Sequence, residues 1–278
     1  MERIRRGWRL IGDSVRVLRQ DPELLVLPLV GLVGFVAVIV GLFAAVYRRM
    51  PEAADFHGVR YLALFALFIP ASIIPATMNA ALIAAACERL NGGDPTLRSG
   101  LKAAWRKFPQ LLAWTLLSAV VGMVLQVLAE RLKIAGRLAQ LTIGLAWALA
   151  TFFVVPILLF ESAGPVEAIK RSSSLFNETW GEQAALLGSM GLALFVAVLP
   201  LTIVGAVAMV ISPIVGVIIF VAVFGGLFVA SGALNGVYVA ALYRYATAGD
   251  APGPFSRDDL SHAFGPKRGR ARRLRRPR

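Results

Sequence analysis

The chain has 278 residues, 58% of them hydrophobic, with a mean hydropathy of +0.71, a formal net charge of +13 and a pI near 11.0. Soluble domains carry about 45–50% apolar residues, so a prior of about two globular domains from length alone gives way to a membrane reading. The single cysteine, Cys87, excludes an intramolecular disulfide, a CxxC redox pair and a thiolate metal cluster.

A helical span needs roughly 20 apolar residues to cross about 30 Å of hydrocarbon. Runs free of Asp, Glu, Lys and Arg predict six spans, at about 24–47, 61–87, 111–128, 139–160, 184–211 and 214–243, the last two separated at Ser212-Pro213. The expected fold class is all-α: a polytopic membrane domain over 1–248, with three amphipathic cytoplasmic surface helices and a disordered polybasic cytoplasmic tail over 249–278.

Residues 3–19 read as the first surface helix. Ile4, Trp8, Ile11, Val15 and Leu18 lie on one face, and Arg5, Arg9, Arg16 and Arg19 on the other. Asp21-Pro22-Glu23 then supplies an N-cap, a first-turn proline and an acid suited to the helix dipole at the start of span one. That run is longer than a signal-peptide core and is followed by Arg48-Arg49, so an uncleaved span is expected. Span two contains Pro70 and Pro75 and should be kinked or irregular.

A turn at Asn91-Gly92-Gly93-Asp94-Pro95 leads to the second surface helix, with Leu97, Leu101, Ala104, Trp105 and Phe108 expected toward lipid. Pro109 opens span three. After span four, Glu161-Ser162-Ala163-Gly164 turns the chain and Pro165 starts the third surface helix. Its apolar face is Val166, Ile169, Ser173, Phe176 and Trp180, opposite Glu167, Lys170, Arg171, Ser174 and Asn177.

Three surface-helix-plus-hairpin units emerge, and they read as pseudo-repeats. Arg19-x-x-Pro22-x-Leu24-Leu25 matches Arg106-x-x-Pro109-x-Leu111-Leu112 in spacing. Asn79 precedes Ala84-Ala85 as Asn235 precedes Ala240-Ala241, and the surface segments carry Trp8, Trp105 and Trp180 in turn. Of the Lys and Arg residues, 23 fall on the side of both termini and six on the other, so positive-inside places both termini in the cytoplasm.

No ionisable residue lies mid-span, which argues against a pump or coupled transporter. His57 and His262 lack partners at metal-ligand spacing, and no phosphate loop or GxSxG elbow occurs. Neither a catalytic residue nor a cofactor is expected. The remaining polar groups are Thr77, Asn79, Thr151, Ser231 and Asn235. They form either a seam for a headgroup or substrate, or interhelical hydrogen bonds worth roughly 0.6–2 kcal/mol each. Ala80, Ala81 and Ala84, with Ala233, Gly236 and Ala240, supply the close-packing surface that the second reading requires.

The linker Ala251-Pro252-Gly253-Pro254 and a short helix capped within Ser256-Arg257-Asp258-Asp259 and reaching Phe264 precede the basic end of the tail. There Lys267, Arg268, Arg270, Arg272, Arg273, Arg275, Arg276 and Arg278 are candidate contacts to anionic lipid. Nucleic acid is disfavoured, since no aromatic residue is interleaved for base stacking.

The run Gly164-Pro165-Val166-Glu167-Ala168-Ile169-Lys170-Arg171-Ser172, ending in Trp180-Gly181, resembles the signature loop of uncharacterised bacterial six-span membrane proteins, a likeness covering roughly residues 1–245. It is more remotely similar to the membrane domain attached to some glycerophosphodiester phosphodiesterases. Related loops often carry an aromatic after the Arg-Ser pair, where this chain has Ser173. The catalytic barrel of those phosphodiesterases has no counterpart here, so no catalytic residue is carried over. The resulting expectation is a non-catalytic scaffold or accessory subunit that binds lipid, a protein partner or a second copy of itself. The alternative is a permease-like passage for a small neutral or lipid-like solute.

Overall fold

Helix α1 (Glu2–Gln20) opens the computed structural model, which describes residues 2–49, 57–180 and 212–261. A 3-10 turn, Pro22–Leu25, leads into α2 (Val26–Arg49), α3 (His57–Leu90), α4 (Leu97–Arg106) and α5 (Phe108–Ala150). These are followed by α6 (Val154–Phe160), α7 (Pro165–Trp180), α8 (Pro213–Ala248) and α9 (Arg257–Ser261), with no strand among the described residues. Among the described residues, five segments are long and apolar enough to cross a membrane: Pro22–Ala44, Ala71–Leu90, Phe108–Ala129, Thr142–Phe160 and Val221–Ala248. The predicted fifth span, 184–211, lies outside the described residues, and with it part of the third predicted repeat.

Proline and glycine set most boundaries. Pro165 and Pro213 each begin a helix, Gly92 takes φ +82 in the turn after α3, and Gly249 takes φ +74 where its N–H closes α8 on the Tyr245 carbonyl. Helix α3, by contrast, runs unbroken through Pro70 and Pro75. Within α5, Trp114 and Trp147 stack with ring centroids 6.0 Å apart. A straight helix would separate them by about 50 Å at 1.5 Å per residue, so the chain turns back between them, as a hairpin of the third and fourth predicted spans requires.

The fourth predicted span is interrupted at residues 151–153, between α5 and α6. Pro156 explains the break, because it has no N–H to give the Phe152 carbonyl and its ring crowds that oxygen. Inside hydrocarbon, apolar side chains gain nothing by leaving lipid for one another, so small residues that allow close approach decide contacts. A Cβ at Gly31 of α2 would lie 3.3 Å from Pro75 Cα of α3, and Gly236 of α8 lies against Leu82 of α3. Helix α3 is central, touching α2, α4, α5, α6 and α8.

The buried core sits at one end of the bundle. It joins Val17 of α1, Leu24 and Leu27, Ala80–Cys87 of α3, Ala104, Phe153 and Ile157, Phe176, Ala240–Tyr243, Phe255 and Leu260. Away from it the spans expose large apolar residues, including Val33, Val40 and Phe43 of α2, Val124 of α5, and Val221 and Phe228 of α8.

The amphipathic helices pack on this core through a face that differs from the expected one. Helix α7 buries Ala168, Ser172, Leu175 and Phe176 and leaves Val166 exposed; α4 buries Gly100 and Ala104 and exposes Leu101 and Trp105; α1 buries Leu10, Ser14, Val17 and Leu18. Phe176 and Ala104 therefore face protein, not lipid. Small side chains cause the rotation: a Cβ at Gly100 would come within 2.6 Å of the Ala81 carbonyl oxygen, so only glycine permits that approach. The expectation of disorder from residue 249 is corrected for residues 249–261, which also pack here, with Phe255 and Leu260 buried.

Candidate functional site

The core end is tied together by polar contacts between residues distant in sequence. The Arg89 guanidinium, at the end of α3, donates from Nε and Nη2 to the two carboxylate oxygens of Asp21. It also reaches Asp94 and the Gly93 carbonyl, each at 3.3 Å. Asp21 is only 8% exposed. Its expected role as an N-cap is corrected: the side chain makes no capping bond to the turn it precedes, because the arginine fork competes for both oxygens with a stronger, charge-assisted pair.

Three further links close the same end. Arg9 of α1 donates to buried Asp259 of α9 at 2.7 Å, and Ser256 Oγ accepts the Asp259 N–H, giving the short helix its cap. Tyr243 Oη of α8 donates to Glu161 at 3.1 Å, and Arg171 of α7 lies 3.5 Å from the same carboxylate. Thr96 and Ser99 form a capping box at the start of α4, while Ser99 Oγ donates to Glu88 at 2.7 Å. Burial raises the Asp13 carboxyl above its ordinary range, with Asp259 adding to the effect and Arg16 and Arg9 opposing it.

Beneath these links, Ser172 Oγ accepts the Phe153 N–H at 3.0 Å in a fully buried position. That N–H belongs to the break before Pro156. The pattern in the sequence hid this role, since Ser172 fell on neither the apolar nor the charged face as first drawn. Asp21–Arg89 and Arg9–Asp259 were equally invisible; each pair joins distant residues beside span ends, and only the packed fold brings them together.

Three of the residues expected to form a polar seam are satisfied locally. Thr77 donates to Ile73 O at 2.8 Å, Thr151 to Trp147 O at 2.7 Å and Ser231 to Phe228 O at 3.1 Å, each within its own helix stretch. Asn79 is half-buried and Asn235 exposed. Gly236 against Leu82 and Gly253 against Leu90 show α3 and α8 running in parallel. Thr77 and Ser231 therefore lie at one level, whereas Thr151 lies apart, at the break before α6. Gln110 Oε1 and Ser118 Oγ, on α5, are buried without a hydrogen-bond partner among the described residues. The candidate lipid contacts Lys267, Arg268, Arg270, Arg272, Arg273, Arg275, Arg276 and Arg278 lie outside the described residues. No group of three metal-ligating side chains occurs among the described residues.

The arrangement is one of mutual restraint: acids, bases and hydroxyls satisfy each other and hold helix ends together. Comparison with known proteins adds a family. No curated protein and no solved structure matches the chain. The model of a family of unknown function, DUF6159, matches residues 58–253, from the beginning of α3 to the turn after α8. With that match over most of its length, the chain belongs to the DUF6159 family.

Proposed function

We propose that the protein is a multi-pass scaffold or accessory subunit of a bacterial inner membrane, non-catalytic, with both termini and the cross-linked core end in the cytoplasm. The observation that carries the reading is the polar economy of the described spans. Every charged residue in them sits at a span end, Arg89 and Asp21 neutralise each other there, and the hydroxyls of Thr77, Thr151 and Ser231 bond backbone carbonyls of their own helix stretch. Such an interior offers no charged relay for coupled transport. It suits a rigid platform whose exposed basic helices meet lipid or a partner.

The orientation is supported by 23 Lys and Arg on the side of the termini against six on the other. A permease for a small neutral or lipid-like solute is the second reading, favoured by the orphaned Gln110 Oε1 and Ser118 Oγ within α5. Purified protein reconstituted in vesicles separates the two. The scaffold passes no small neutral solute and flips no labelled lipid above the protein-free rate. Flux by the protein alone, lost on Ser118→Ala, would establish the permease.

A further inference from the structure

Helix α4 carries a basic row that nothing among the described residues neutralises. Arg98, Lys102 and Arg106 follow at four-residue spacing, all exposed, on a ten-residue helix without an acid. Like charges at that spacing destabilise a helix. Four other arginines at this end have carboxylate partners: Arg9 with Asp259, Arg16 with Asp13, Arg89 with Asp21, and Arg171 with Glu161. No ion pair among the described residues reaches Arg98, Lys102 or Arg106.

The helix is held firmly enough to present that row. Its start is fixed by the Thr96–Ser99 capping box and by Ser99 on Glu88, and its inner face by Gly100 and Ala104 against α3. At 3.6 residues per turn, the basic row then points away from the protein, and Leu101 and Trp105 lie beside it. Trp105 is 69% exposed and stacks on Phe108 at 4.9 Å. Phe108 opens the Phe108–Ala129 span, so the apolar edge of α4 is continuous with the surface that meets lipid.

We propose that the outer face of α4 docks on the anionic surface of the bilayer, with Arg98, Lys102 and Arg106 on phospholipid phosphates and Leu101 and Trp105 at the acyl boundary. The assignment rests on the membrane-spanning reading above. Guanidinium groups match phosphate oxygens in pairs, and a lysine adds a compact charge. Tryptophan is the residue enriched at that depth. An acidic protein would satisfy the charges but would leave the apolar edge, level with the start of a span, unexplained.

Native mass spectrometry of the full-length protein, titrated with phosphatidylglycerol or phosphatidylcholine, tests this. Arg98→Gln/Lys102→Gln/Arg106→Gln should bind phosphatidylglycerol at least about tenfold more weakly, at roughly fivefold or less per cation after screening. The charge-matched control Arg19→Gln/Lys170→Gln/Arg257→Gln, whose cations do not flank an apolar edge level with a span, should lose at least about threefold less than the α4 variant. Should the triple variant misfold, Lys102→Gln alone should lose about threefold to fivefold. Phosphatidylglycerol binding unchanged in the α4 variants overturns the assignment, as does loss of a co-purifying acidic protein with lipid binding intact. Alkaline extraction of wild type from membranes, run in parallel, separates the two failures: extraction would sink the membrane reading itself, whereas retention with unchanged lipid binding sinks only the role of α4.

Discussion

Ser172 Oγ of α7 accepts the backbone N–H of Phe153, 3.0 Å away, at the point where the fourth apolar run breaks before Pro156. One side chain thus compensates a gap made by a proline three residues beyond the bonded amide, and it pins an amphipathic helix to a span. An unpaired buried amide costs about 1–3 kcal/mol. Ser172→Ala should lower stability by that amount in detergent, whereas Ser174→Ala, on the exposed side, should change it by less than about 0.5 kcal/mol. Thermal unfolding followed by size-exclusion chromatography measures both.

The pair formed by Arg89 and Asp21 should behave as a coupled unit. Arg89→Ala leaves a carboxylate that is 8% exposed without its partner, a loss of about 3–5 kcal/mol for a fully buried pair. Arg89 itself is a quarter exposed, so about 2–3 kcal/mol is expected here. Asp21→Asn/Arg89→Ala should recover part of that, and a double-mutant cycle reads the coupling directly. Additive losses would show that the two side chains act independently.

Substitutions along α7 should follow its observed buried face. Phe176 is 2% exposed and lies against the rings of Phe152 and Phe153. Phe176→Ala should cost about 3–5 kcal/mol, and Phe176→Glu should abolish accumulation in the membrane. Lys170→Glu and Val166→Ser should accumulate normally, because both positions are exposed. Quantitative immunoblotting of membrane fractions distinguishes these outcomes.

Cys87 is 4% exposed within the core. A membrane-impermeant maleimide should therefore label it poorly in intact and in lysed cells alike, and efficiently only after denaturation in sodium dodecyl sulfate. Ready labelling in native membranes would contradict the packing of the core end.

The five described spans were legible because a charge-free run of sufficient length carries its own signal, independent of any partner. The helix starts at Pro165 and Pro213 were legible because proline acts locally. The docking faces of α1, α4 and α7 were not. A periodicity reading gives weight to large side chains such as Trp105 and Val166, while the contacts are made through Gly100, Ala104, Ala168 and Ser172, whose value lies in how little space they fill. The polar site was hidden for a different reason. Asp21 looks like a cap from its neighbours, and its partner Arg89 is 68 positions away. Thr77 and Ser231 looked like interhelical donors, yet a hydroxyl in a helix finds a backbone carbonyl one turn back first.

The most direct test of the account is the side of the membrane on which the core end lies. Cys87→Ala removes the only thiol, and Arg257→Cys then places a single reporter at an exposed position, the first residue of α9. A membrane-impermeant maleimide should leave that cysteine unlabelled in intact spheroplasts and label it fully once they are lysed. Equal labelling before and after lysis would place the core end outside the cytoplasm and contradict the orientation on which the platform rests.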